Sequence, residues 1–144
     1  MRILQINACH YNRGGSETVY FNSAELLKKH GHEVIYFSTN NPDNVVTEFA
    51  RYFISNADIR GLSFFCKIMR APSYLYNVKA RRKIRKLVMD FRPDIAHVHI
   101  FYAELSVSIL RLLKELNIPV IHTVNDYRLL CPVDSFIDYE GKVC

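Results

Sequence analysis

The chain has 144 residues and a mass of 16.8 kDa, with 49% apolar and 23% charged residues, enough to bury one good core and too apolar for disorder. Its formal charge of +5 is unevenly placed. Lys79, Arg81, Arg82, Lys83, Arg85, Lys86 and Arg92 share one window with Asp90 as its single acid, while the other 130 residues hold 12 basic and 13 acidic groups. A near-neutral domain with one basic segment is not a nucleic-acid binder with a broadly basic surface.

Ile3-Leu4-Gln5-Ile6-Asn7 reads as a short apolar strand, followed by a polar loop that ends in Gly14-Gly15. Ser16 suits a helix N-cap, with Glu17 at the positive end of the helix dipole. Tyr20, Ala24 and Leu27 recur at helical spacing, and Lys28-Lys29-His30-Gly31 is a basic last turn with a left-handed stop. Glu33–Thr39 returns as a β-rich run, completing a β-α-β unit. Asn40–Asn44 is loop chemistry. Val45 to Ile54 is expected to hold one short helix and Leu62 to Met69 another.

Ala80, Ile84, Leu87, Val88 and Phe91 make one face of a helix that Pro93 ends. Asp94–Ile100 is the third strand. Leu105, Ile109, Leu112, Leu113 and Leu116 share the face of the next helix, with Asn117 near its C-cap, and Val120–Val124 is the fourth strand. Asp138–Lys142 reads as a turn or small hairpin. Four apolar strands alternating with amphipathic helices predict an α/β fold, a Rossmann-like parallel sheet with helices on both faces.

No apolar run reaches the roughly 18 residues of a membrane span, and Ile3–Ile6 is too short for the apolar part of a secretory signal. Four scattered cysteines (Cys9, Cys66, Cys131, Cys144) favour free thiols over a disulfide framework. A cytoplasmic setting is expected.

Ligands of open parallel sheets bind beyond the carboxyl ends of the strands. The loop there with Gly14 and Gly15 either admits a phosphate or anionic sugar group to the helix N-terminus or simply makes a tight turn. The nicotinamide and P-loop glycine patterns are missing. His97 and His99 share one strand face with His122 on the next strand, but spacing fixes no third ligand, so no metal is expected. Asn125-Asp126 follows the fourth strand, either to bond a sugar or to form an Asx turn. The basic helix is either a solvated face or a contact for anionic lipid headgroups or a polyanionic acceptor through Arg81, Arg82, Lys83, Arg85 and Lys86.

Met1-Arg2-Ile3-Leu4, Gly14-Gly15-Ser16-Glu17, Lys29-His30-Gly31-His32-Glu33-Val34, Arg92-Pro93-Asp94-Ile95-Ala96-His97-Val98-His99 and Asn125-Asp126-Tyr127-Arg128-Leu129-Leu130-Cys131-Pro132 occur in this order. Together they resemble the N-terminal domain of a family-4 glycosyltransferase. The resemblance implies a GT-B enzyme of two Rossmann-like domains, of which residues 1–144 would be the acceptor-side one, with the donor-binding second domain outside this chain. It implies sugar transfer from a nucleotide-sugar donor to a glycan or lipid-linked acceptor, with retained configuration and without metal or cofactor. The setting would be cytoplasmic, and the basic helix, on its second reading, would add peripheral contact at the inner face of the membrane.

The resemblance also implies roles for residues. Gly14, Gly15 and Ser16 would approach the donor phosphates, His10, Tyr11 and Glu17 the acceptor, and Asn125, Asp126 and His99 the reacting sugar. Two positions depart from the family pattern: Asn125 stands where the family has a histidine, so it keeps a hydrogen bond but cannot titrate, and Ile100 stands where an asparagine is common. A half-cleft is expected not to turn over by itself. Two other readings remain from the sequence: a non-catalytic Rossmann-like module for a nucleotide or phosphorylated ligand, and a module that docks to a membrane or partner enzyme.

Overall fold

The structure is a computed structural model that describes residues 1–55, 76–102, 105–131 and 136–143. Strand β1 (Arg2–Ile6) carries the consecutive residues Ile3, Leu4, Gln5 and Ile6, all at most 6% exposed, and Asn7 just beyond it is equally buried. A strand covered on both faces marks the centre of a parallel sheet. β1 lies between β2 (Glu33–Phe37) and β5 (Ile95–Val98), and β6 (Val120–His122) completes the order β2-β1-β5-β6, every pair parallel. The register sets Leu4 against Ile35 and Ala96, and Gln5 against Tyr36 and His97. This is the Rossmann-like α/β sheet that the alternation of apolar strands and amphipathic helices predicts.

Helix α1 (Gly15–Lys29) starts earlier than Ser16 predicts. Gly14 is the N-cap, in extended conformation and with no side-chain cap, and Ser16 falls in the first turn. The Gly14 carbonyl accepts from both the Thr18 N–H and the Thr18 hydroxyl, which puts the cap two residues ahead of the serine. Its end follows the prediction, with Gly31 at φ +78°. Tyr20 and Ala24 are buried, and the Tyr20 ring lies 5.3 Å from that of His99, so α1 covers the sheet face that carries Gln5, His97 and His99.

The short helix expected between Val45 and Ile54 forms as a 3-10 helix (Glu48–Tyr52). Thr47 caps it through the Phe49 N–H. Tyr52, Phe53 and Ile54 are then buried in succession, which a helix cannot do on one face. Strand β4 (Ile54–Ser55) leaves it to pair with β3 (Thr39–Asn40). The helix expected over Leu62 to Met69 lies outside the described residues, as do Cys66 and Cys144.

Helix α2 (Val78–Phe91) buries Ala80, Ile84, Leu87 and Val88. Asn77 caps it by accepting from the Ala80 N–H at 3.0 Å, and Arg92 ends it in left-handed conformation before Pro93. Helix α3 (Ser108–Glu115) packs on α2 and is shorter than its apolar pattern. Leu105 is fully buried, but in the approach to the helix, because Ser106 adopts φ +61° and breaks helical continuity there. Ser106 Oγ accepts from the Asn77 N–H at 2.9 Å and bonds Ser108 Oγ at 2.8 Å, tying the starts of α2 and α3 together. Coverage fades at the sheet edge, where Val120 and Ile121 of β6 are 41% and 55% exposed. The hairpin at the C-terminus forms as predicted, with Ile137 bridged to Val143 and Asp138 Oδ1 accepting from the Glu140 and Lys142 N–H groups.

Among the described residues no helix is long and apolar enough to cross a membrane.

Candidate functional site

The chain leaves β1 toward β2 on one side and returns to β5 on the other. The carboxyl ends of β1 and β5 are therefore where the connections diverge, the place at which open α/β sheets hold their ligands. The two loops are stitched together at their roots. Asn7 Oδ1 accepts from the Ile100 N–H at 3.0 Å, Asn7 Nδ2 donates to the Cys9 carbonyl at 2.8 Å, and the Ala8 N–H donates to the Ile100 carbonyl at 2.7 Å. The hydroxyls of Ser38 and Thr39 donate to the Ala8 carbonyl, and the Val45 N–H to that of His10. The Ala8–Gly14 loop is thus held from three neighbouring segments before it reaches α1.

Gly14 and Gly15 are exposed at its end. A Cβ on Gly15 would meet nothing within 4 Å, and one on Gly14 would meet only the Glu17 carboxylate, at 3.7 Å. The backbone of Gly14 is extended and not left-handed, so its conformation does not demand glycine. What the two glycines provide is open space in front of the α1 N–H groups, which have no acceptor within the helix. Ser16 is half-buried beside this opening and Glu17 is buried next to it; Tyr11, earlier in the loop, is half-buried.

Below the loop lies a buried polar network. Gln5 bridges two histidines: its Nε2 donates to His97 Nδ1 at 3.1 Å, and its Oε1 accepts from His99 Nε2 at 2.9 Å. His97 Nε2 donates to Thr123 Oγ1 at 2.7 Å, carrying the chain from β1 across β5 to the segment after β6. This assignment makes both rings neutral Nε2–H tautomers. Burial, then the neighbouring His97 and His122, pushes His99 down to about 4, and burial, then His122, lowers His97. His99 is 1% exposed, and its Nδ1 has no partner among the described residues.

His10 is equally buried, with Nδ1 bonded to the Tyr20 hydroxyl at 3.0 Å and its ring against Phe21, Tyr36 and Phe53. Burial, then Lys28, holds it down to about 4. Near neutral pH, His10 and His99 are hydrogen-bonding groups and carry no charge.

At the third loop of this edge, His122 Nε2 donates to the His99 carbonyl and the Thr123 N–H to Val98. Asn125 and Asp126 are half-buried. Asn125 Nδ2 donates to the Thr123 carbonyl at 3.4 Å, and Asp126 Oδ1 accepts from the Arg128 N–H at 3.2 Å in an Asx turn. The predicted residues therefore fall into two layers along one sheet edge. Gly14, Gly15, Ser16, Tyr11, Asn125 and Asp126 reach the surface, while His10, Glu17 and His99 lie below it. Among the described residues no three His, Cys, Asp or Glu side chains come together as a metal site.

Gln5, Asn7, Tyr20 and Thr123 hold this edge together and were not among the residues that motif spacing singles out. The signal for two of them is in the sequence. Gln5 and Asn7 are polar positions in an otherwise apolar strand, and a polar side chain buried there needs partners.

Residues 13–135 match the sequence profile of the family described as Glycosyltransferase Family 4. A protein of Klebsiella pneumoniae described as "Uncharacterized 42.6 kDa protein in cps region" is 28% identical to the chain, over 92% of the chain and 38% of that protein. The chain thus spans well under half the length of this relative.

Proposed function

The chain belongs to glycosyltransferase family 4, and from that premise we propose that it is the acceptor-side half of an enzyme that moves a sugar from a nucleotide-sugar donor to a glycan or lipid-linked acceptor. Residues beyond these 144 hold the donor in a second domain of a GT-B pair, and transfer retains the sugar's configuration. Gly14, Gly15 and Ser16 present open backbone N–H groups to donor phosphates. Tyr11, with His10 and Glu17 beneath it, shapes the acceptor side. Asn125 and Asp126 bond the reacting sugar, and His99 holds the β5 edge under them. The reaction runs in the cytoplasm and serves polysaccharide synthesis; the cps-region relative supports the second part of this reading alone.

The observation that carries this reading is the glycine loop. The Cβ position of Gly15 is open and that of Gly14 meets only the Glu17 carboxylate, at the N-terminus of α1 and at the switch point of a sheet whose chain matches the family over residues 13–135. Catalysis requires donor and acceptor held in register, which half a cleft does not do. Incubated with a panel of nucleotide sugars and a labelled glycan or lipid acceptor, the 144-residue chain is expected to bind acceptor in equilibrium dialysis and leave every donor unconsumed. Sugar transfer by this chain alone overturns the division of labour. Tight nucleotide-sugar binding without acceptor binding would favour a nucleotide-binding module instead.

A further inference from the structure

Helix α2 sorts its basic side chains into two sets. Arg81 and Arg85 turn toward α3, where both pair with Glu115 and Arg111 joins them. The hydrogen bond from Arg81 holds the Glu115 carboxyl below the usual carboxylate range. Arg82, Lys83 and Lys86 occupy the adjoining stripe, Arg82 and Lys86 being one turn apart. Among the described residues no carboxylate pairs with any of these three.

They line a groove of about 570 Å³, together with Arg51 and Tyr52 of the 3-10 helix and with Asp90. The walls are tied together, because Lys83 Nζ donates to the Arg51 carbonyl at 2.7 Å. The Arg51 guanidinium lies over the Tyr52 ring, 5.0 Å from its centre, and the Tyr52 hydroxyl donates to Asp90. The one carboxylate of the groove accepts this hydrogen bond and keeps its charge, so the four cations that line the groove from two separate elements leave it with a net charge of +3.

We propose that this groove between the 3-10 helix and α2 binds a phosphate-bearing ligand through Arg51, Arg82, Lys83 and Lys86. Like charges held on one concave surface repel, and a multivalent anion relieves that repulsion. Guanidinium groups match phosphate oxygens two at a time, and Lys83 keeps N–H donors beyond the one it gives to Arg51. The groove narrows the expectation of an anionic contact spread over the whole basic helix. Arg81 and Arg85 turn to Glu115, whose single carboxylate they share with Arg111, and fall outside the groove, and Arg51 enters from a different element. A lipid headgroup and a soluble diphosphate share this chemistry. The proposal does not rest on sugar transfer.

Two probes test it: calorimetric titration with inorganic pyrophosphate, and co-flotation with phosphatidylcholine vesicles containing or lacking phosphatidylglycerol. At least one arm is expected to show saturable binding, and the arm that does so identifies the source of the phosphate. Arg82→Gln and Arg51→Lys should weaken binding, by about tenfold for Arg82→Gln, while Arg85→Gln changes it by less than about twofold. Circular dichroism confirms that each variant is folded. Equal weakening by Arg82→Gln and Arg85→Gln, or no saturable binding in either arm, overturns the proposal. Both readouts are independent of donor turnover, so the groove and the transferase reading can fail separately.

Discussion

Gln5 has no exposed surface and spends both ends of its amide on His97 and His99. Gln5→Leu would strand His97 Nδ1 and His99 Nε2 without partners, at about 1–3 kcal/mol for an orphaned buried group; a fall in the urea midpoint of that size checks it. The same burial makes stability depend on pH. In the unfolded chain these imidazoles titrate near 6.5, whereas His10 and His99 resist protonation down to about 4 in the fold. Between those values the unfolded chain binds more protons. Stability that is fully present above pH 6.5 is therefore lost as pH falls toward 4, by at most about 1.4 kcal/mol per pH unit for each fully linked proton. His97, also lowered, adds in the same direction. Urea midpoints measured across that range are expected to fall with acidification, and less steeply for His99→Gln. A midpoint that does not move would contradict the neutral network.

At the level of elements, helix ends account for most differences between pattern and structure. Periodicity locates the buried stripe of α2 correctly, and Ile84→Ala in that stripe should cost about 2–5 kcal/mol by leaving a cavity. Arg92 ends α2 at φ +47° with Pro93 behind it, a conformation that L side chains adopt at a cost. Arg92→Gly is therefore expected to raise the melting temperature by a few degrees, in line with a gain of up to about 1 kcal/mol. Ser16 reads as a cap, but the Thr18–Gly14 contacts close the helix earlier. Leu105 fits the helical repeat of α3, yet the left-handed Ser106 stands between them. In each case hydrogen bonds from another segment, or from a few residues away, outweigh a local propensity worth less than about 1 kcal/mol.

Across the whole molecule, burial declines from β1 to β6. Ile121 is 55% exposed in its strand, so Ile121→Lys should change the stability of the 144-residue chain by no more than about 0.5 kcal/mol. It should also lower self-association in light scattering, because it charges an exposed apolar edge. A loss of several kcal/mol would show that β6 is covered. The alternation of apolar strands and amphipathic helices was enough to determine a parallel α/β sheet, because hydrophobic period and connection length are properties of the chain itself, and the ordered residue blocks carried the family resemblance.

Tertiary structure alone decided which polar residues meet. The bridge from Gln5 to His97 and His99 depends on a register between strands 92 and 94 residues apart. The division of the basic helix depends on Glu115 lying on one side and Arg51 on the other. Sequence spacing says how many charges a helix carries. Only packing says which of them face a carboxylate, because Coulomb interaction follows distance in space and not position along the chain.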